Sequence, residues 1–299
     1  MNLKSTLSMS LQNTSSSRSL APVFRLLGLL SITFAMASPV LAQTDASNEN
    51  TFFKSTREFF THGEWYASWG YDKTHYHPSD VHVSQPSLNN DFVVHNMQGH
   101  DEFKSPVCCT PDNVRVGRFF DENKNWALDL SLDHTKFTST LNQTALVTGT
   151  NAGGVGLKTL STQYFTYLLH NGLNHVMVSA LYCKPLLGNL EEGSSLSLIA
   201  KVGTGLAIVH PEIDINGQPN SVGNKNLTNL LGTNSGWWRI VGTSTGEELG
   251  FRYVPVKPVY LELTNKQIYT SMRNIPVYKG TASQNVRSNE MVMSVGYIF

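Results

Sequence analysis

A chain of 299 residues with 22 Lys and Arg against 22 Asp and Glu has no net charge, which removes the electrostatic case for a nucleic-acid partner. Charged residues are 15% of the chain, below the roughly 25% of an ordinary soluble domain. Three cysteines, adjacent at Cys108 and Cys109 and distant at Cys183, are too few for a disulfide scaffold.

The chain opens on a polar, basic leader with Lys4, Arg18 and Arg25. The apolar run "LLGLLSITFAMA", residues 26–37, follows, and then "SPVLA" ending at Ala42. This is the layout of a secretory signal peptide, residues 1–42, cleaved after Ala42. The apolar run is too short for a membrane helix, which needs about 20 apolar residues. Residues 43–62 are expected to be a short periplasmic segment and 63–299 the working domain. No later stretch has the length and apolarity of a spanning helix.

From residue 63 the dominant signal is alternation. "EWYASWGYD" sets Trp65, Ala67, Trp69 and Tyr71 against Tyr66, Ser68, Gly70 and Asp72. "NWALDLSLD" sets Trp126, Leu128, Leu130 and Leu132 against Ala127, Asp129, Ser131 and Asp133. "LSLIAKVGTGLAI" sets Leu196, Leu198, Ala200, Val202, Leu206 and Ile208 against Ser197, Lys201, Gly203 and Gly205. "EMVMSVGYIF" sets Met291, Met293, Val295, Tyr297 and Phe299 against Ser294 and Gly296. Side chains on a strand alternate between faces, so each segment has one greasy and one polar side. A soluble sheet would bury the greasy side under a second layer. No amphipathic helix or second sheet is evident to do so, and lipid outside a closed barrel resolves the difficulty.

The fold class expected is therefore all-β: an antiparallel up-and-down transmembrane β-barrel of eight strands with long extracellular loops. The strands are placed at 63–76, 113–120, 125–138, 160–183, 195–210, 236–254, 258–272 and 288–299. "DENKN", "LLGNLEEGS" and "PVKP" are short connections, while 77–112, 139–159, 211–235 and 273–287 are long. Short periplasmic turns and long outer loops are the asymmetry of outer-membrane barrels. Trp65, Trp126, Tyr253 and Phe299 fall near strand ends, where an interfacial aromatic belt would place them. A last strand ending in Phe299, with Tyr297 two residues earlier, resembles the signal read by the barrel-assembly machinery.

An eight-stranded barrel is narrow and filled by side chains. Parity points Asp72, Arg115, Asp129, Asp133, Lys201, Glu248, Arg252 and Glu262 inward. Charges of both signs inside a low-dielectric wall are expected to pair, and no open solute pore is expected. Function is then expected in the outer loops. Six of the ten histidines, His62, His75, His77, His82, His95 and His100, lie within residues 62–100. "HYHPSDVHVSQPSLNNDFVVHNMQGHDEF" reads as a strand extension and hairpin above the membrane. His82, His100, Asp80 and Asp101 are the candidates for a metal site, weighed against a solvated polar loop. Asp133, His134 and His175 are the catalytic candidates for chemistry on a lipid, with Ser131 or Ser179 as nucleophile. Parity opposes that grouping, because His134 alternates outward while Ser131 and Asp133 face inward. "GTNAGGVG", residues 149–156, is Gly-rich without the phosphate-loop pattern.

In order, "WYASWGYDKTHYHPSDVHV", "NDFVVHNMQGHDE", "NVRVGRFFDENKNWALDLSLDHTKF", "HNGLNHVMVSA" and "VGTGLAIVHPEIDI" resemble a poorly characterised family of small, eight-stranded bacterial outer-membrane β-barrels. Asp80, His82, Asp91, Phe92, His100, Asp101, Asp133, His134, Lys136, Gly172, Leu173 and Asn174 stand at positions similar to that family's motifs. His75 and His77 have no counterpart there, and Val93 and Val94 replace a Thr-containing strand. The resemblance implies location and architecture and supplies no activity.

The expected function is a structural or interaction role through extracellular loops, with no cofactor. The partners expected are outer-membrane lipid and lipopolysaccharide, the assembly machinery through Phe299 and an extracellular ligand, with no nucleic acid and a monomeric barrel. A lipid-A-modifying hydrolase or acyltransferase is the alternative, and a metal-binding surface protein is the second alternative.

Overall fold

Two-residue alternation becomes a single antiparallel sheet in the computed structural model, which describes residues 64–102, 112–188, 194–223 and 238–299. The leader, the 43–62 segment, His62, Cys108 and Cys109 lie outside the described residues. The first strands are β1 (Trp65–Tyr76), β2 (Ser79–Gln85), β3 (Asn90–Met97), β4 (Gly99–His100) and β5 (Asn113–Phe119). Next come β6 (Trp126–Ser139), β7 (Thr144–Thr150), β8 (Gly156–Thr159), β9 (Phe165–Gly188) and β10 (Ser195–Val209). The rest are β11 (Glu212–Ile215), β12 (Gln218–Pro219), β13 (Arg239–Val256), β14 (Val259–Val277) and β15 (Gly280–Ile298).

Eight of these close a ring. In order, β1, β5, β6, β9, β10, β13, β14 and β15 each pair antiparallel with the next, and β15 pairs back onto β1 from Tyr66–Ile298 to Tyr76–Ser288. The expected count and order of ring strands hold, including the least regular of them, now Arg239–Val256. Closure leaves the ring without a free edge, the condition a sheet must meet in lipid.

Register fixes the faces. Trp69 lies between Val114 and Val295 on the outside, and Trp69 is 53% exposed. Val202 at 66%, Leu249 at 59% and Met293 at 64% continue the same apolar skin around the ring. Inside, Ser68 sits between Arg115 and Gly296, and all the inward residues expected from parity line the lumen. Trp126, Tyr182, Tyr253, Tyr297 and Phe299 form an exposed aromatic girdle at the lower end, where Trp65 and Phe299 exchange backbone hydrogen bonds.

The lumen has three layers. At the floor Tyr66, Phe119 and Tyr260 pack with Leu181, Ile199 and the unbridged Cys183. Gly117 makes room for this floor, because a Cβ there would run into the Tyr66 ring. A charged belt lies above it. Over the belt the inward positions turn apolar, with Tyr76, Phe137, Tyr167, Leu169, Leu173, Val209, Met272 and Val286 in one buried cluster. The expectation of a hydrophilic lumen is thus corrected: the polar layer is sandwiched between two dry ones.

The expected long loops are also corrected in part. Residues 273–287 are not a loop, because β14 and β15 continue to a two-residue turn at Tyr278 and Lys279. Strands of 19 residues tilted by about 40° rise about 48 Å, against an apolar band of about 25 Å. Roughly half of each therefore stands clear of that band. Within 77–112, β2 continues the line of β1 along β15 and folds back as β3, so the expected strand extension and hairpin are present. β7 and β8 widen this upper sheet across 139–159. Its inner face supplies Val81, Val83, Phe92, Val94, Ala145 and Val147 to the upper apolar cluster.

Candidate functional site

The charged belt is built by alternation alone, since every second residue of eight strands points to one axis. Arg115 Nη1 donates to Glu248 Oε1 at 2.6 Å, and Glu262 Oε2 lies 3.6 Å away. Lys201 reaches Asp129 at 3.4 Å, with Glu248 and Glu262 within 3.9 Å. Arg252 donates from Nε to Glu262 Oε1 at 2.7 Å, with Nη2 2.6 Å from the same oxygen as an ion pair, and its guanidinium lies 4.6 and 4.5 Å from the Tyr66 and Tyr260 ring centroids. The same cation is thus held by a carboxylate and two aromatic faces. Lys266 and Glu290, which sequence reasoning did not single out, complete the belt, and Lys266 pairs with Asp133.

The catalytic candidates separate. Asp133 is inward and fully buried, bonded by Lys266, Asn113 and, at 3.2 Å, Ser131 Oγ. His175 faces it across the β6–β9 pair and places Nδ1 2.8 Å from Ser244 Oγ, a partner that sequence reasoning missed. Both His175 and Ser244 are completely buried between the two apolar layers, where a substrate would have to displace the core. His134 points to the opposite face, as parity requires. Its Nδ1 lies 2.6 Å from Asn174 Oδ1, and Asn174 Nδ2 donates to the Ile208 carbonyl at 3.0 Å. Gly172 has φ +132°, and a Cβ there would stand 2.6 Å from Asn174 and 2.7 Å from His134. The Gly-Leu-Asn and Asp-His segments are thereby explained as one packed cross-strand joint.

The metal candidates also separate. His82 Nε2 lies 2.7 Å from Asp91 Oδ1, while Asp80 takes His95 Nδ1 at 3.0 Å and the Asn96 N–H at 2.8 Å. His100 Nδ1 lies 3.3 Å from Thr140 Oγ1, and Asp101 accepts from Lys73 and the Thr74 N–H. His82 and Asp80 are taken up separately within the β2–β3 hairpin, His100 beside Thr140 and Asp101 by β1, so the four are not gathered around one point. Lys136 and Thr138 bind Glu102 at 3.0 and 3.2 Å and fasten the end of β4 to β6 in the same manner. Among the described residues, the group of three acidic or histidine side chains close enough to share an ion is Asp72, Asp133 and Glu290, within 4.8 Å of one another. It lies in the belt, and Lys266 already occupies its Asp133 corner.

No family model matches the sequence, and no curated protein matches it. Solved structures similar to it include Neisserial surface protein A, at 14% identity over 79% of this chain and 97% of that one, TM-score 0.34. The outer membrane protein OprG from Pseudomonas aeruginosa is 13% identical over 79% of this chain and 96% of its own, TM-score 0.34. The attachment invasion locus protein Ail of Yersinia pestis is 14% identical over 80% of this chain and 100% of its own, TM-score 0.31. At TM-scores of this size the neighbours carry no functional argument. The barrel rests on the ring of strand pairings and the apolar skin.

Proposed function

We propose that the protein is an integral barrel of a Gram-negative outer membrane, closed to solutes, that acts through the surface raised above the outer leaflet. One observation carries the reading: over the lower part of the ring the outward positions are apolar and exposed while paired charges cross the axis in the belt, an inversion that lipid satisfies. The projecting β2–β3 and β7–β8 sheet is the part available to an external ligand or partner. Export through the 1–42 leader, assembly through the strand ending at Phe299 and a monomeric barrel belong to the same proposal.

Membrane fractionation with a gel run before and after boiling tests it, because closed barrels resist detergent until heated. The expected result is an outer-membrane protein with a heat-dependent mobility shift, a mature chain beginning at Gln43, and no single-channel conductance in a planar bilayer. Recovery in the soluble periplasm, or a mobility indifferent to heat, would contradict it. A lipid-modifying enzyme is not favoured, because the buried His175–Ser244 pair offers no approach to a substrate.

A further inference from the structure

We propose that the outward face of β1, β14 and β15 just above the apolar skin docks the phosphorylated headgroup of an outer-leaflet glycolipid. The inference rests on the outer-membrane reading above. Outward positions on β15 read Tyr297, Val295, Met293 and Met291, then change to Asn289, Arg287 and Asn285. The neighbours change at the same height. On β14 Leu261 and Leu263 give way to Asn265 and Gln267, and on β1 Trp69 and Tyr71 give way to Lys73 and His75.

Strand pairing arranges these residues in rungs. His75, Asn289 and Gln267 make one rung, and Arg287 and Tyr269 make the next, where the His77 N–H donates to the Arg287 carbonyl at 2.9 Å. The Arg287 guanidinium lies 5.9 Å from the Tyr269 ring centroid, and the exposed His75 and His77 rings lie 5.8 Å apart. Neither Arg287 nor the exposed Arg273 has an ion pair among the described residues. The Arg287–Tyr269 rung continues to Thr245 and carries no carboxylate; the rung below it ends on the exposed Glu247, Asp80 is taken by His95 at 3.0 Å, and Asp101 by Lys73 at 3.5 Å. Beyond β14, the outward positions of the neighbouring β13 and β10 are Thr243, Thr245, Glu247, Thr204 and Leu206, with no cation, so the cations end at β14 on that side.

A cleft of about 340 Å³ opens directly above the Arg287 rung, lined by Arg273, Asn285, Ser283, His82 and Asp80. That volume falls in the range of small-molecule sites, about 300–1,000 Å³. Apolar skin, cations and a polar-lined cleft thus follow one another up a single face. Acyl chains, phosphate and sugar follow one another in the same order in a phosphorylated glycolipid. Arginine is suited to the phosphate because its planar fork donates two hydrogen bonds at once.

The test uses the full-length mature protein in detergent micelles, titrated with diphosphorylated lipid A and, separately, with the same lipid stripped of phosphate. The wild-type protein is expected to bind the diphosphorylated lipid, and R273Q/R287Q to bind it about tenfold more weakly or worse, the effect of one lost charge-assisted hydrogen bond. The dephosphorylated lipid should bind both proteins alike. N289K, which adds a cation to the strip, should tighten binding, and T204K on β10, two strands beyond Tyr269, should not. Unchanged binding by R273Q/R287Q with its heat-dependent mobility intact overturns the inference and leaves the barrel reading standing. Displacement of lipid A by equimolar inorganic phosphate assigns the strip to the free anion and overturns it too. A wild-type protein without that mobility shift overturns both.

Discussion

Arg115 on β5 donates to Glu248 on β13 at 2.6 Å, joining two strands that stand on opposite sides of the eight-membered ring. The bond crosses the full lumen, and both side chains are buried. It ties wall to wall where no backbone pairing can reach. Lys201 from a third strand and Glu262 from a fourth surround it, so the charges neutralise one another.

Removing one partner strands the other. Glu248→Leu is expected to destabilise the barrel by about 3–5 kcal/mol, because it leaves Arg115 without its closest carboxylate. The double variant R115M/E248L should recover much of that loss, since apolar replacement of a buried pair is close to neutral. Urea unfolding in liposomes, followed by tryptophan fluorescence, measures both.

The outer skin should respond to charge by depth. Met293 stands between Tyr71 and Leu263 on the ring's exterior, in the middle of the apolar run of β15. Met293→Arg is expected to cost about 2–4 kcal/mol in liposomes, the penalty of a cation near the bilayer midplane. Leu157→Arg, on the exposed upper strand β8, should cost little. Equal costs at the two sites would argue against a lipid-facing skin.

The upper apolar layer should behave as an ordinary protein core although it sits inside a barrel. Phe137 packs edge-on against Tyr76 at 5.0 Å and Tyr167 at 5.9 Å. Phe137→Ala is expected to lower stability by about 3–5 kcal/mol. Limited proteolysis should then cut within β2 and β3 before the ring strands, because these hairpin strands share that core.

Gly172 carries a backbone requirement as well as a packing one. Gly172→Ala forces φ +132° on a residue with a Cβ and drives that carbon into the His134–Asn174 joint. A loss of about 1–3 kcal/mol is expected, read as a lower temperature for the heat-dependent mobility shift. Gly156→Ala serves as the control: φ there is +100° and an added Cβ would meet nothing within 4 Å, so the backbone cost stands alone.

Alternation made the ring legible. Trp69, Leu128, Val202 and Met293 point outward, and Asp129, Lys201 and Glu248 inward, because period two has only two phases. The phase does not say how far lipid extends. On β14 the outward face changes from Leu263 to Asn265, so Lys266 beside it did not stand out as an inward residue. Above the lipid the logic reverses: Phe137 and Tyr167 face inward because water, not hydrocarbon, covers the outside. β7 and β8 were hidden for a related reason. "TALVTGT" alternates well, but it belongs to no ring strand, and its place beside β3 is a pairing between distant segments. The histidines were legible only as a group, since His82, His95 and His100 each acquire their partner from another segment of the chain.

The central claim is the facing of β15, and oxygen collision rates of nitroxide labels placed along it in liposomes test that claim most directly. In a background without the three native cysteines, labels at Met291, Met293 and Val295 should meet the high oxygen concentration of hydrocarbon, while labels at Val292 and Ser294 should not. A two-residue oscillation in that phase is the predicted result. A flat profile, or one with Val292 and Ser294 as the lipid-exposed set, would contradict the barrel described above.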